Sequence, residues 1–300
     1  MDLPGSVESI LSSTLSLKEI HHLDSGGFKE VYRVKLSSGV VEILKAIRLP
    51  PIDNADVKKA YYAEAAGRAR REISILGKCK SPELVKLGTI EPFETELSGT
   101  DCIVYSEEYL EGGDLLKEIR GNTEVPPEPE LKCCFGSILK AIKELWSFGY
   151  VHRDIKPQNI MKLPDKKRPF VLLDLGISFS VRETALTYEP GIRLPLATYR
   201  YLAPEMMSAD FRANLDYRSD LYSAALSVYE YAAKKHPIAI DNDDIMNTIS
   251  RALRVAPAPL KTRRNDLSDE FCELTDQMLK KKPGLRPSNL SRLIQKMEKE

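Results

Sequence analysis

The sequence lacks a net charge and any long apolar run. Its 44 lysine and arginine residues balance 44 aspartate and glutamate residues, so no overall charge attracts nucleic acid or a membrane surface. No stretch approaches the roughly 18 consecutive apolar residues that suit a membrane-spanning helix. Residues 1–17 lack the basic start and the long apolar core of a signal peptide. We therefore expect a cytoplasmic protein that binds neither nucleic acid nor a membrane.

Cysteine is also sparse, and its spacing fits neither a disulfide framework nor a metal site. The number of cysteines is odd, and they do not have the spacing of paired metal ligands. We interpret them as reduced thiols in a reducing compartment. The five are Cys79, Cys102, Cys133, Cys134 and Cys272.

The remaining composition is ordinary, but the pattern changes along the chain. Hydrophobic residues make up 42% and charged residues 29% of the 300 residues, which suits one large domain or two lobes with room for a core. The first third is rich in strand patterns. Residues 17–36 predict two strands joined by a glycine turn, residues 40–47 predict a third strand, and residues around 84–90 and 102–107 predict two more.

Helical patterns dominate the rest of the chain. One helix is already expected in the first third, where Asp53 or Asn54 caps a segment that runs to about Leu76. Residues 130–148 are amphipathic at helical spacing, and residues 221–233 form a mostly apolar helix. A strand-rich first part followed by a helix-rich remainder predicts an α+β fold.

The most informative stretch is the segment Tyr150–Met161. From Arg153 to Asn159 it holds one carboxylate, two cations and two carboxamides between apolar pairs. Pro157 fixes its own φ and biases Lys156 towards an extended backbone, so the segment is a loop. A carboxylate that accepts a hydroxyl proton, a lysine that neutralises phosphate charge and an asparagine that holds a metal suit phosphoryl transfer. A solvated loop with a charge cluster is the plainer interpretation.

Four positions outside this loop also fit a phosphate or metal site, although each has a plainer interpretation. Gly26 would let backbone N–H groups approach a phosphate, or it is an ordinary hairpin glycine. Lys45 is a lone cation on an apolar strand and needs a partner such as Glu72, unless both residues lie at the solvated surface. Asp174 follows a short apolar strand and precedes a glycine, which suits either Mg²⁺ or a plain turn.

In combination, these residues resemble the motifs of the eukaryotic-type protein kinases, in that family's order and spacing, over nearly the whole chain. The segment His152–Asn159 resembles the catalytic loop. The segment Asp174–Gly176 resembles the metal-binding motif, with leucine in place of phenylalanine. The segment Arg71–Leu76 resembles the core of the C-helix, and Ala203–Glu205 resembles the end of the activation segment.

The resemblance implies a bilobal kinase-like fold, with a small β-rich N-lobe that carries one C-helix and a larger helical C-lobe. It implies a single kinase domain, in which residues 1–16 are an N-terminal extension, 17–110 the N-lobe and 111–300 the C-lobe. Asp220 and Arg286 match structural residues of the large lobe. The resemblance implies that Arg286 pairs with the glutamate at the end of the activation segment.

The resemblance also implies a role for each site residue. Asp154 would orient and deprotonate the substrate hydroxyl, and Lys156 would neutralise charge near the transferred phosphoryl group. Asn159 and Asp174 would hold Mg²⁺, or Mn²⁺ in its place. Lys45 would hold the α- and β-phosphates of ATP. The other implied contributors to nucleotide binding are Glu72, Gly26, Val31, Ile43, Glu108, Leu110, Asp114 and Met161.

The resemblance therefore implies an ATP- and Mg-dependent serine/threonine protein kinase that acts on a protein substrate and phosphorylates itself. Lys156, together with Thr198, resembles the serine/threonine subgroup and not the tyrosine subgroup. Arg153 precedes the catalytic aspartate, as in kinases that activation-loop phosphorylation switches on. The candidate acceptors in that loop are Thr184, Thr187 and Tyr188.

The sequence departs from the family pattern in the small lobe. Asp24 and Lys29 stand at the first and third glycine positions of the phosphate-binding loop. Glu107 falls at the gatekeeper position, where a charge is unusual. A carboxylate buried there needs a partner. We hypothesise that Glu107 competes with Glu72 for Lys45 in a resting state.

Two other functions remain open at the level of the sequence. A catalytically silent nucleotide-binding scaffold is favoured by the irregular glycine loop and by Glu107. It is disfavoured by the complete set of motif residues, because a scaffold has no chemical need for all of them. A kinase fold that acts on a small molecule, or that transfers something other than phosphate, is the third possibility. The Ala203–Glu205 segment and the long loop before it argue for a protein substrate.

Overall fold

The computed structural model describes residues 4–25, 29–49, 56–175, 179–180, 199–207 and 215–299. The chain divides into two compact units. The first unit comprises Met1–Cys79 and Val85–Leu110, and the second comprises Lys80–Leu84 and Glu111–Glu300. Strands predominate in the first unit and helices in the second, so the predicted α+β fold is confirmed.

The first unit is built on a five-stranded antiparallel sheet with the strand order β1-β2-β3-β5-β4. Successive residues of a strand point to opposite faces, so each strand supplies one set of side chains to each side of the sheet. The strands are Leu17–Ser25 (β1), Lys29–Leu36 (β2), Val41–Arg48 (β3), Phe93–Leu97 (β4) and Thr100–Glu108 (β5).

Among the described residues of the first unit there are two helices, and the sequence predicted one of them. Helix α2, Asp56–Lys78, extends slightly beyond the predicted end at Leu76, and its predicted cap lies outside the described residues. Helix α1, Pro4–Leu15, lies in the segment interpreted as an extension. Its Leu11 is buried against one face of the sheet, in a cluster that includes Tyr32. Helix α1 therefore contributes to the core of this unit.

The strand predicted at residues 84–90 is wrong. Those residues form isolated bridges, Leu84 with Leu172 and Leu87 with Glu107, and no continuous ladder. A strand has two edges, and β5 already pairs with β3 on one edge and with β4 on the other. The apolar residues that suggested a strand are buried in a loop because only the end of β5 is left for pairing.

The second unit is mainly helical and is organised around a buried central helix. Nearly every residue of that helix, α5, is buried, and it packs against α4. The helices are Leu115–Gly121 (α3), Glu128–Ser147 (α4), Tyr217–Ala233 (α5), Ile245–Arg254 (α6), Asp269–Met278 (α7) and Leu290–Glu298 (α8). Within the described parts of this unit, single 3₁₀ turns are formed by Pro157–Asn159, Pro204–Met207, Leu260–Thr262 and Pro283–Leu285.

Short strands position the predicted catalytic loop within the second unit. A three-stranded sheet has the order β6-β8-β9, and β7 pairs with β10. The strands are Gly113–Asp114 (β6), Tyr150–Val151 (β7), Ile160–Lys162 (β8), Phe170–Leu172 (β9) and Phe179–Ser180 (β10). The loop from residue 152 to 159 therefore runs between β7 and β8.

Two other sequence predictions can be compared directly with the structure. All five cysteines are free thiols, as predicted. In the described part of the chain, no helix combines the length and the apolar character that crossing a membrane requires.

A buried histidine gives the second unit a pH-dependent stability. His236 Nδ1 accepts hydrogen bonds from the N–H groups of Ile238 and Ala239, and its Nε2 lies 3.0 Å from the carbonyl oxygen of Arg200. Burial, reinforced by the charge of Arg200, lowers the pKa of His236 to about 3 from its usual 6.5. The folded protein therefore keeps this imidazole neutral.

Lowering the pH from 7 to 5 is expected to remove about 2 kcal/mol of unfolding free energy through this histidine alone. The unfolded chain takes up a proton at His236 below about pH 6.5, whereas the folded chain does so only near pH 3. Denaturant unfolding at the two pH values measures the effect. The variant His236→Gln should lose less stability over the same interval, and an equal loss in both proteins would refute the assignment.

Candidate active site

In the first unit, the predicted phosphate ligand lies on a sheet face with the predicted adenine contacts. Lys45 on β3 lies directly opposite Val31 on β2 and opposite Tyr105 on β5. Ile43, two residues before Lys45, lies opposite Glu107. Residues directly across or two apart share a face, so these five side chains point to the same side of the sheet.

Lys45 binds two carboxylates at once. Its Nζ lies 3.1 Å from Glu72 Oε1 and 2.5 Å from Glu107 Oε1. The three side chains are 6%, 3% and 5% exposed, respectively. The ion pair with Glu72 that the sequence predicted is therefore present. The competition that we hypothesised takes the form of sharing, because Glu107 binds Lys45 without displacing Glu72.

The remaining first-unit predictions fall on the end of β5 and on the glycine loop. Glu108 pairs twice with Lys86: its N–H donates to the carbonyl oxygen at 3.0 Å, and its Oε1 accepts from the backbone N–H at 2.8 Å. Leu110 follows the strand and is half-buried. Gly26 lies outside the described residues, so the structure places Asp24 and Lys29 at the two edges of this loop but not its apex.

In the second unit, Asp154, Lys156 and Asn159 form one hydrogen-bonded cluster. Lys156 Nζ donates to both carboxylate oxygens of Asp154, at 2.9 and 2.8 Å. Asn159 Nδ2 donates to Asp154 Oδ2 at 2.9 Å and to the Asp154 carbonyl oxygen at 2.8 Å. These charge-assisted bonds hold the carboxylate in one orientation. The three catalytic-loop residues that the sequence singled out are thus brought together.

Asp220 on α5 fixes the start of this loop. Its two carboxylate oxygens accept from the backbone N–H groups of His152 at 2.7 Å and Arg153 at 2.9 Å. Burial raises the pKa of the Asp220 carboxyl group, and the nearby cationic groups and backbone N–H bonds oppose this rise. Arg153 has a φ of 71°, which a residue with a side chain adopts only under constraint. The two bonds to Asp220 help to impose this conformation.

The ring of His152 connects the loop to the next motif. Its Nδ1 lies 3.2 Å from the N–H of Asp154, which donates to it, so this nitrogen carries no proton. Its Nε2 then donates to the carbonyl oxygen of Leu173 at 3.0 Å. The sequence analysis gave His152 and Leu173 no role. The position of His152, two residues before Asp154, could have indicated a role for the histidine. Nothing in the sequence indicates that its ring donates to the carbonyl oxygen of Leu173.

Asp174 is held next to Asn159 by backbone pairing. The N–H of Leu173 donates to the carbonyl oxygen of Asn159 at 2.8 Å, beyond the ladder between β8 and β9. Asp174 has a φ of 59°, a second strained backbone position. Because the Asn159 amide nitrogen donates to Asp154, the amide oxygen is the ligand atom that this residue offers. A carboxylate and an amide oxygen are ligands that suit Mg²⁺.

The two remaining predicted nucleotide contacts are paired on β6 and β8, where Asp114 lies opposite Met161. Asp114 also caps α3, because its Oδ1 accepts from the N–H of Lys117 at 2.9 Å and its Oδ2 lies 3.3 Å from Lys117 Nζ. The sequence analysis did not foresee this cap. An aspartate directly before a helical pattern is the signal that would have indicated it.

Replacing Asp220 with asparagine is expected to lower kcat by roughly 10- to 100-fold, because a small displacement of a catalytic group carries a penalty of that order. The backbone N–H of either His152 or Arg153 would then face the asparagine amide nitrogen, which cannot accept a hydrogen bond. Steady-state kinetics, with thermal unfolding to verify the fold, measure the effect. Asp216→Asn is the matched control: Asp216 caps the same helix, and asparagine is an equally good cap. Equal kcat values for the two variants would contradict the positioning role.

Comparisons with known proteins agree with this geometry. Residues 17–297 match the family model described as protein kinase domain. Serine/threonine-protein kinase 4 homolog A from Dictyostelium discoideum is 26% identical over 271 residues, 90% of this chain and 52% of that protein. Serine/threonine-protein kinase pkn3 from Myxococcus xanthus is 27% identical over 274 residues, 89% of this chain and 46% of that protein.

A third relative is the mitogen-activated protein kinase kinase 3 from Arabidopsis thaliana. It is 28% identical over 256 residues, which cover 84% of this chain and 46% of that protein. The chain therefore spans about half the length of the curated relatives it matches.

Proposed function

This chain belongs to the protein kinase family, and on that premise we propose that it is an active serine/threonine protein kinase. It transfers the γ-phosphoryl group of ATP to a hydroxyl group of a protein. The observation that carries the proposal is the cluster around Asp154, in which Lys156 and Asn159 fix both carboxylate oxygens. Such a cluster suits transfer to a hydroxyl, because little covalent chemistry is needed beyond positioning and charge neutralisation.

Asp154 orients the substrate hydroxyl and accepts its proton on a carboxylate oxygen. The bonds from Lys156 and Asn159 leave this carboxylate one orientation, which is the requirement for a positioned general base. Lys156 is the nearby cation, and its ammonium group neutralises charge that develops on the transferred phosphoryl group. His152 keeps the backbone of Asp154 in place through its Nδ1.

Asn159 and Asp174 are the proposed ligands of Mg²⁺, with Mn²⁺ as a substitute. Their oxygen atoms suit a hard cation, and the pairing of Leu173 with Asn159 keeps the two residues adjacent. When bound, the metal ion supplies charge neutralisation on the nucleotide phosphates.

Lys45 is the proposed ligand of the α- and β-phosphates, and Glu72 positions it. For the base, the proposed contacts on the first unit are apolar surfaces of Val31 and Ile43, which share the face of Lys45. The other proposed nucleotide contacts, each described above where the structure includes it, are Gly26, Glu108, Leu110, Asp114 and Met161. The Asp114 carboxylate would have to contact the ribose while its Oδ1 accepts the hydrogen bond from Lys117 that caps α3.

A nucleotide-binding scaffold without turnover is the second candidate. The observation that favours it is the binding of Lys45 by Glu107, since a lysine engaged by two carboxylates is less available to phosphate. The complete cluster in the second unit favours the active enzyme.

Transfer of radiolabelled γ-phosphate from ATP to a mixed protein substrate separates the two candidates. We expect acid-stable label on serine and threonine in the presence of Mg²⁺, and its loss when the metal ion is chelated. Label confined to tyrosine would refute the subgroup. Nucleotide binding without any transfer would identify the scaffold.

A further inference from the structure

Helix α6 of the second unit exposes a stripe of large apolar side chains. Its buried face contains Thr248 and Ala252, and the carbonyl oxygen of Ala252 accepts a hydrogen bond from Lys281 Nζ at 2.6 Å. Residues three, four or seven positions apart lie on one side of a helix. The stripe beside the buried face follows this spacing and consists of the exposed Ile245, Met246 and Leu253 and the half-buried Ile249. One side of the helix thus anchors it to the unit, while the adjoining apolar side faces solvent.

This stripe belongs to a larger apolar patch around α6. Of the large apolar side chains that are exposed in the described part of the chain, five lie between residues 240 and 255, and Met246 is 73% exposed. Single exposed apolar residues are ordinary, whereas a contiguous exposed patch marks an interaction surface. The α6 patch consists of Ile240 in the turn before the helix, Ile245, Met246, Leu253 and the C-cap residue Val255.

The charges beside the α6 patch differ in sign between the two ends of the helix. At the N-terminal end Asp241 and Asp244 are exposed, and Asp244 caps the helix through the N–H of Asn247 at 2.7 Å. At the C-terminal end Arg254 is exposed. Asp243, in the turn before the helix, instead forms an ion pair with the arginine at position 251, at 2.6 Å. The helix therefore presents an acidic end and a basic end with an apolar stripe between them.

A second copy of the same helix complements both of these features. When two copies pack antiparallel across a two-fold axis, each apolar stripe covers the other, and the acidic end of each helix lies beside the basic end of its partner. The helix dipoles then also have their opposite ends side by side. A parallel arrangement would bring like charges together at both ends. The patch is therefore self-complementary in the antiparallel arrangement alone.

We propose that the α6 patch is a self-association surface through which two copies of this chain form an antiparallel dimer. Met246 and Leu253 form the apolar centre of the interface, and Asp241 of each copy pairs with Arg254 of the other. Two such patches bury on the order of 1,000 Å² in total, which is the lower limit for a specific interface. The dimer is accordingly weak, with a dissociation constant on the order of 10 μM. This inference does not depend on phosphoryl transfer.

Sedimentation equilibrium of the full chain tests the proposal, at concentrations from about tenfold below to tenfold above that dissociation constant. We expect the wild type to change from monomer to dimer over this range. The variant Met246→Glu should weaken association by about 100-fold, because the interface then contains two buried carboxylates. The matched control is Val125→Glu, which changes another exposed apolar residue, in the loop between α3 and α4. This control should associate as the wild type does.

Reversal of the charges tests the antiparallel arrangement. Each of the single variants Asp241→Arg and Arg254→Asp should weaken association by about tenfold, because like charges then meet at both ends of the interface. The double variant should restore the wild-type dissociation constant to within about threefold, since the pairs are then reversed but opposite in sign. Asp241 lies 3.3 Å from Arg200, but its side chain is 96% exposed, so its replacement should leave the fold intact. Thermal unfolding verifies this for every variant.

Each remaining outcome overturns the proposal. A wild type that stays monomeric over the whole range has no such dimer, including the case in which the α6 patch binds a different protein. A dimer that Met246→Glu leaves intact is formed by another surface. A dimer in which the double charge reversal is no tighter than the single reversals is not antiparallel. If Met246→Glu failed to fold, the exposed charge variants would still decide the question.

Discussion

The variant Asp154→Asn is expected to lower kcat by about 10²- to 10⁴-fold, the usual contribution of a positioned general base. Asparagine preserves the shape and the carbonyl oxygen but cannot accept the hydroxyl proton. It also removes the negative charge that Lys156 Nζ contacts at 2.8–2.9 Å. Binding of ADP, which Asp154 does not contact in the proposed arrangement, should be unchanged. Single-turnover transfer from labelled ATP, together with ADP titration, measures both quantities.

A matched substitution controls for the loss of one negative charge. Asp165 is exposed in the loop between β8 and β9, where its Oδ1 accepts from the N–H of Lys167. The variant Asp165→Asn should keep the kcat of the wild type. If Asp154→Asn retained full turnover, Asp154 would not be the base. If it lost ADP binding and turnover together, its role would be in nucleotide binding or in folding.

The variant Arg286→Ala is expected to lower the free energy of unfolding by about 3–5 kcal/mol, the range found when one partner of a buried ion pair is removed. Arg286 is fully buried and forms a bidentate pair with Glu205, at 2.6 and 2.8 Å. Its remaining donors bind the carbonyl oxygens of Arg218, Lys280 and Lys281. All five N–H groups are therefore used, and alanine would leave three carbonyl groups and the carboxylate of Glu205, which is only 11% exposed, without this partner.

Denaturant unfolding measures this loss, and two further variants show whether geometry or charge is responsible. Arg286→Lys should recover only part of the stability, because a lysine cannot reproduce the planar fork. Arg70→Ala removes an exposed ion pair with Glu94 and should cost less than about 1 kcal/mol. An unfolding free energy of Arg286→Lys equal to that of the wild type would contradict the account of the pair.

The pairing of Arg286 with Glu205 illustrates what the sequence could provide. The two residues are far apart in the chain, and neither periodicity nor spacing relates them. The resemblance to protein kinases supplied the pair, and the structure confirms it. Residue types in a rare combination, such as the carboxylate, lysine and asparagine of the catalytic loop, could by contrast be identified from the chain itself.

The sequence failed where a prediction depends on what an element packs against. The N-terminal segment is rich in serine, and nothing in it shows that Leu11 covers one face of a sheet. The apolar residues near Leu84 have the composition of a strand, yet β4 occupies the place beside β5. Competition between segments for one sheet edge is a property of the whole fold, so a local pattern does not reveal it.

Within the site, the sequence identified the important residues but not how they are arranged. The sequence identified Glu107 as unusual and suggested that it competes for Lys45. The simultaneous contact of Lys45 with Glu72 and Glu107 depends on the register of β3 with β5 and on the position of α2. Neither can be derived from spacing along the chain. The contact of Lys45 with Glu107 is also the observation that favours a nucleotide-binding scaffold over an active kinase.

Mass spectrometry of the purified wild type beside Asp154→Ala, each incubated with ATP and Mg²⁺, tests the central claim most directly. An active serine/threonine kinase should carry new phosphate on its own serine or threonine residues, with Thr184 and Thr187 as the first candidates. The variant should carry none. Equal phosphorylation of both proteins, or none on either together with no transfer to an added protein substrate, would contradict the assignment of Asp154 as the catalytic base of an active kinase.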